Sequence, residues 1–430
     1  MRRKLGSPLL VALALGGIIG CTPTTDAPTP SGTQAHAPAP FEGVVGADWT
    51  THPLPEALRG ADIESVAIGA GAIWVLATTD ELVLASTRDG EAWEVSPLSE
   101  LGLPAGTLGS GHVIARGDEV AIVLDNTDSV NRTNVYPDSA EVQPVPHVLR
   151  FDGEGWSAHS PENSATWDET GIPHDLHYVG AIAAGFAGDA VVAVAKVRWF
   201  PGGSDVLVDA SLASVAVAGD DTVRLVSPYA PPLAGVDVQD VHAAVSDPDR
   251  LHVVGDIFVR AEDTWRAAVW SSADGVTWEQ SFVGVEPTDR TEATSAVVVG
   301  DALVVAIARG VPDSFDKVGE LVVRDAGGTW SRIPPPAGEK LLTLATDGAS
   351  LYAFGGALGA PTSIWVSHDL ETWQKLSDRS GMPPAKTWRD SGNPSPQVFS
   401  YPGGIAYLEG ITRPSLVVSG PPPWSTTGDE

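Results

Sequence analysis

Four of the chain's 14 tryptophans stand among acids and histidines. Trp167 is followed by Asp168, Glu169 and the run His174-Asp175-Leu176-His177, Trp199 precedes Asp205, Glu262 and Asp263 precede Trp265, and Trp388 is followed by Asp390. An indole face stacks on a sugar ring or a cationic group, and a neighbouring carboxylate accepts hydroxyl or ammonium protons. Trp167, Trp199, Trp265, Trp388, Asp168, Glu169 and Asp390 are therefore the candidate ligand-binding residues. The segment 126–146 adds Asp128, Asp138 and Glu141. His174 and His177 have no third ligand at a recognisable metal spacing, and the acids at 125–128 lack the EF-hand pattern. No metal or cofactor is expected.

Recognisable catalytic patterns are missing from the sequence. It contains no Gly-x-Ser-x-Gly elbow, His-Glu-x-x-His, phosphate-binding glycine loop or cysteine pair. This balance favours a binder over an enzyme and leaves the list of catalytic residues empty.

The N-terminus runs Arg2-Arg3-Lys4, then an apolar stretch from Pro8 to Ile19, then Gly20-Cys21. Basic, apolar and small residues in that order form an export signal. The apolar stretch is shorter than the roughly 20 residues that span a bilayer. Ile18-Ile19-Gly20-Cys21 resembles the lipobox of bacterial lipoproteins, which implies cleavage after residue 20 and a diacylglyceryl group on Cys21. Cys21 is the single cysteine of the chain. Residues 21–44 are rich in Pro, Thr, Ala, Ser and Gly and read as a tether of roughly 25 to 70 Å. Removing residues 1–20 takes away three basic residues and no acids, moving the formal charge from -30 to -33. That charge disfavours nucleic acid as a partner.

What positions the tryptophans is a repeat. Thr87-Arg88-Asp89-Gly90-Glu91-Ala92-Trp93, Ser272-Ala273-Asp274-Gly275-Val276-Thr277-Trp278, Arg324-Asp325-Ala326-Gly327-Gly328-Thr329-Trp330 and Ser367-His368-Asp369-Leu370-Glu371-Thr372-Trp373 superpose, with Asp152-Gly153-Glu154-Gly155-Trp156 as a looser copy. Hydroxyl and carboxylate groups bond turn amides, glycine accepts positive φ, and the Trp packs beside the turn. Asp89, Gly90, Trp93, Asp152, Gly153, Trp156, Asp274, Gly275, Trp278, Asp325, Gly327, Trp330, Asp369 and Trp373 are accordingly structural. These corners resemble the Asp-box (BNR) repeat of sialidase-like propellers. The Phe/Tyr-Arg-Ile-Pro of those enzymes has its one echo in Arg332-Ile333-Pro334, after a corner and not before the first.

Alternating apolar and polar positions around the corners give units of four strands at about 63–98, 109–161, 177–228, 238–283, 292–336, 340–378 and 396–424. The expectation is an all-β chain, a single β-propeller over 45–430 with seven four-stranded blades, or six or eight if the weak third unit is miscounted. Trp49 to Leu54 resembles Trp93 to Leu98, so the N-terminal strand competes with the segment around Trp424 to complete the last unit. With corners between third and fourth strands, the connections 157–176, 196–209, 260–266 and 378–395 emerge at the opposite end, together with the four tryptophans. The function this implies is a surface-tethered, extracytoplasmic binding or scaffolding propeller for a glycan, peptide or envelope partner. It is expected to be monomeric and held to the cell membrane or outer membrane through Cys21. The alternative is a divergent extracellular glycoside hydrolase, sialidase-like, or a lyase.

Overall fold

Short β-branched runs punctuated by Gly and Asp turns cannot bury an apolar face alone, so each must find partners on both sides. The computed structural model describes residues 49–101, 111–124, 147–159, 176–199, 208–217, 223–226, 239–259, 262–283, 290–310, 317–337, 339, 341–356, 362–379, 398–401, 403–409 and 415–419. All of them lie in one compact unit, Ala39–Glu430.

Among the described residues the strands form seven four-stranded antiparallel sheets. The first contains Asp62–Gly69, Ala72–Thr78, Leu82–Thr87 and Glu94–Pro97, and the second Gly111–Arg116, Glu119–Leu124, His147–Phe151 and Trp156–His159. The third contains Leu176–Ala187, Ala190–Trp199, Val208–Val217 and Val223–Val226, and the fourth Gln239–Ser246, Leu251–Val259, Thr264–Ser272 and Glu279–Phe282. In the fifth are Thr291–Val299, Ala302–Gly310, Lys317–Arg324 and Trp330–Ile333, and in the sixth Leu341–Thr346, Leu351–Gly356, Thr362–Ser367 and Gln374–Arg379. The seventh joins Val398–Tyr401, Gly404–Glu409 and Ser415–Ser419 to the N-terminal strand Thr50–Pro53. Thr50 pairs with Val418 and Pro53 with Ser415, so the two ends of the described chain share one sheet. The N-terminal strand takes the outer place; Trp424 lies outside the described residues.

The core is divided among the seams between sheets. Seven apolar clusters each span a pair of neighbours, and the cluster around Ile73, Val75, Ala406 and Val418 joins the first sheet to the seventh. This arrangement is a β-propeller with four-stranded blades, closed on itself. Inner strands are also stitched across the seams by hydroxyls. Ser65 Oγ accepts from Val113 N at 2.6 Å, Ser246 Oγ from Phe186 N at 2.7 Å, Ser295 Oγ from Leu344 N at 3.0 Å and Ser400 Oγ from Thr346 N at 2.9 Å.

Each of the first six sheets is a meander, so its first-to-second and third-to-fourth turns share one end, and the seventh adds a first-to-second turn of its own. Turn-to-turn bonds show that these ends gather on one side of the ring. Ala70 N donates to Gly117 O at 2.8 Å, Gly403 N to Asp347 O at 2.8 Å, and the Arg116 guanidinium to Gly188 O at 2.7 Å and Pro248 O at 3.3 Å.

Trp270 is fully buried in the seam between the third and fourth sheets. Trp270→Ala is expected to cost about 3–5 kcal/mol, read as a lower urea midpoint, whereas Ser331→Ala, at an exposed position, should change stability by no more than about 0.5 kcal/mol.

Candidate ligand-binding face

The two ends of the ring differ in what their polar side chains are free to do. At the corner end the carboxylates are occupied by their own turns. Asp89 Oδ1 accepts from Glu91 N at 2.8 Å and Ala92 N at 2.7 Å, and Asp152 Oδ1 from Glu154 N at 2.9 Å and Gly155 N at 2.8 Å. Asp274 Oδ1 takes Val276 N and Thr277 N at 2.8 and 2.6 Å, Asp369 Oδ1 takes Glu371 N and Thr372 N at 2.9 and 2.7 Å, and Asp325 Oδ1 takes Thr329 N at 2.8 Å. The amides of Glu91 and Ala92 hold the Asp89 carboxyl below the usual carboxylate range, and those of Gly155 and Glu154 do the same for Asp152. Burial works the other way at Asp274 and Asp369, but their turn donors prevail, and Asp369 is drawn down to about 2.

Each corner tryptophan packs against the preceding sheet. Trp93 joins the seam with the seventh sheet, Trp156 that with the first, Trp278 that with the third, Trp330 that with the fourth and Trp373 that with the fifth. Gly90, Gly153 and Gly275 have positive φ, and a Cβ on Gly275 would meet Val192 of the neighbouring sheet. In the fifth-sheet corner Asp325, Ala326 and Gly327 carry the turn and the left-handed residue is Gly328, φ +82°, whose N–H donates to Asp325 O at 2.9 Å. In the sixth sheet that place falls to Leu370, φ +61°.

At the opposite end, polar groups converge between the fourth and fifth sheets. Trp265 packs beside Phe258, centroids 5.6 Å apart, and the Arg290 guanidinium lies 5.9 Å from the Trp265 ring centroid. Arg290 pairs with Glu292 at 3.0 Å and Arg266 with Glu262 at 3.4 Å. Beside them His242 Nε2 lies 2.6 Å from Asp256 Oδ1. The Asp256 side chain is 5% exposed and that of His242 25%. Burial alone would strip the His242 proton, but the Asp256 carboxylate and the charges of Glu292 and Asp240 outweigh it and raise the imidazole pKa. Burial pushes the Asp256 carboxyl up against the pull of His242. Such a set can accept and donate hydrogen bonds to hydroxyls beside an aromatic surface. Among the described residues no three acidic, histidine or cysteine side chains are placed to hold a metal ion.

Of the sequence candidates, Trp265 is at this end, but not in a connection. It belongs to the strand Thr264–Ser272 and faces Phe258 across the ladder, because that strand begins earlier than the sequence pattern suggests. Trp199 is likewise a strand residue, paired with Leu176 and Val208. His177 pairs with Arg198 in the same ladder. Cys21, Asp128, Asp138, Glu141, Trp167, Asp168, Glu169, His174, Asp175, Asp205, Trp388 and Asp390 lie outside the described residues. Of the four tryptophans, the described ones, Trp199 and Trp265, lie in strands of the third and fourth sheets.

Asp240, His242, Asp256, Arg290 and Glu292 escaped the sequence reading. A β-bulge between Val241 and Ala243 sets His242 apart from the ladder, and bulges at Glu64 and Thr294 occupy matching places in the first and fifth inner strands. Strict alternation assigns such residues to the wrong face. A polar residue recurring at one place in the first, fourth and fifth inner strands was the available signal.

No protein-family model and no curated protein matches the sequence. Solved structures resemble its chain course. A polysaccharide lyase, PL25 ulvan lyase, is similar at 13% identity with TM-score 0.49, covering 89% of this chain and 96% of its own. The BP39L lectin from Burkholderia pseudomallei is similar at 11% identity with TM-score 0.48, covering 84% and 98%. The β-propeller domain of the Trilobed protease from Pyrococcus furiosus is similar at 11% identity with TM-score 0.44, covering 84% and 93%.

Because Asp369 has a depressed pKa in the folded chain, its contribution is present above the ordinary value of 3.8 and is lost as pH falls toward about 2. Melting curves in that acid range should show a shallower decline for Asp369→Asn than for the parent, from a lower starting stability.

Proposed function

We propose that the chain is an exported lipoprotein, carrying lipid on Cys21 and standing off the membrane on residues 21–44, whose propeller binds a hydroxyl-rich glycan or an envelope partner at the end opposite the corners. On this reading the seven sheets are seven blades of one ring, and the corners are Asp-box repeats serving as joints. One observation carries the proposal: Trp265, Arg290 and Glu292 form an aromatic, cationic and anionic set away from the corners, while the corner carboxylates are taken up by turn amides. The indole offers a stacking surface, Arg290 a forked donor, and Glu292 an acceptor for hydroxyls.

The test is a glycan array and an immobilised envelope-polysaccharide assay with the parent chain and Trp265→Ala. Loss of a central aromatic anchor is expected to cost about 2 kcal/mol or more, which is roughly 30-fold in Kd. Binding unaffected by Trp265→Ala and Arg290→Ala would remove this site from the proposal.

A second reading, glycoside hydrolysis or elimination, draws on the gathering of Asp240, Asp256 and Glu292, since a carboxyl whose pKa is raised by burial suits a proton donor. Turnover of a glycoside or polysaccharide panel that disappears in Asp256→Asn would favour that reading over simple binding.

For the anchor, Cys21→Ser should abolish incorporation of labelled fatty acid and shift the protein from the membrane fraction to the soluble one. Unchanged lipid labelling in this variant would refute lipidation at Cys21.

A further inference from the structure

We propose that proton occupancy of His242 controls the seam between the fourth and fifth sheets and, through it, the seating of Arg290 on Trp265. The use of this device for ligand capture rests on the reading of Trp265 as a binding surface; the device itself does not.

His242 sits at the bulge of the innermost strand of the fourth sheet, where three described elements bring carboxylates toward it. Its own strand supplies Asp240, the second strand supplies Asp256, and the innermost strand of the fifth sheet supplies Glu292. Asp240 and Asp256 are direct cross-strand partners, a placement in which like charges repel. The imidazolium is a charge that offsets this repulsion. Its 2.6 Å bond to Asp256 is of the charge-assisted kind, and Asp256 is too deeply buried to be compensated by water. Arg290 is already engaged by Glu292 at 3.0 Å and by the Trp265 face.

Removing the proton leaves Asp240, Asp256 and Glu292 facing one another without that cation. Glu292 is the member on the far side of the seam, and it is the partner of Arg290. Arg290 in turn is fastened to its own sheet by its carbonyl, which accepts from Gly310 N at 2.9 Å, so displacement of Glu292 moves the guanidinium relative to the indole while the backbone stays. Among the described residues His242 has no other hydrogen bond through which to share the charge.

The sign follows from the geometry. The folded chain binds this proton more tightly than an unfolded one, so the stabilisation is complete below the ordinary histidine value of 6.5 and is lost as pH rises through the higher folded value.

The experiment follows melting temperature of the full chain, without ligand, from about pH 5 to about pH 9, the range in which histidines titrate. The parent should lose several degrees over the neutral to alkaline part of the range, His242→Gln should give a flat profile there, and Asp256→Asn should move the decline to lower pH. Parallel profiles for parent and His242→Gln overturn the proposal. Should His242→Gln not fold, imidazole NMR of the parent decides: one of the ten histidines must titrate above the ordinary value and drop in Asp256→Asn, and the absence of such a resonance overturns the proposal equally. The coupling to Trp265 is read from the fluorescence difference between the parent and Trp265→Phe, which should titrate with the same midpoint; a pH-independent difference overturns the coupling. These readouts contain no glycan, so their failure is distinct from failure of the binding assays.

Discussion

Every sheet in this molecule depends on having a neighbour on each face. The apolar residues of a four-stranded sheet cannot be covered by its own chain, and the seven clusters that cover them lie between sheets, including the one that joins last to first. Removing surface from water is worth about 25 cal/mol per Å², and here that gain is collected only when the ring closes. The closure is made by Thr50–Pro53 on Ser415–Ser419, strands more than 360 residues apart (for instance, |i−j| = 368 for Thr50 and Val418). A ladder between chain ends turns a row of stackable sheets into one that has no terminal sheet face left open.

The corners make this closure regular. Four of them hold the turn with a carboxylate on two amides, as at Asp89 and Asp369, Asp325 does so with one, and each sends its tryptophan into the seam behind it. The sixth sheet shows how strongly the seam governs. Leu370 occupies the left-handed conformation, at a cost of roughly 1–2 kcal/mol for a residue with a Cβ, yet its side chain is 3% exposed within the seam of the fifth and sixth sheets. Burying a leucine is worth about 1.5–3 kcal/mol, which offsets the strain. A glycine there would relax the turn and open the seam.

The division of labour between the two ends follows from the meander. At the corner end the acids of the turns are taken up by turn amides. At the other end the ladders separate around bulges, and side chains such as His242 and Thr294 are set outside strict alternation. On the proposed function, recognition and proton-sensitivity sit at one end of the ring, apart from the turn amides that hold the corner acids at the other.

Much of the architecture was legible in the sequence because its signals are local: period-two alternation, Asp and Gly turns, and a tryptophan at a constant offset. The all-β class, the four-stranded unit and the structural role of Asp89, Asp274 and Asp369 each depend on residues within a few positions of one another. Which of the two adjacent glycines at 327 and 328 takes positive φ was not legible, since only the folded turn places Gly328 there. Tertiary structure alone decided that the N-terminal strand completes the seventh sheet, that Trp265 is a strand residue, and that His242, Asp256 and Glu292 meet. The first depends on pairing across more than 360 residues, the second on where a strand begins, and the third on a bulge and on two sheets packing side by side. Local pattern specifies which elements form; the closing of the ring specifies which side chains become neighbours.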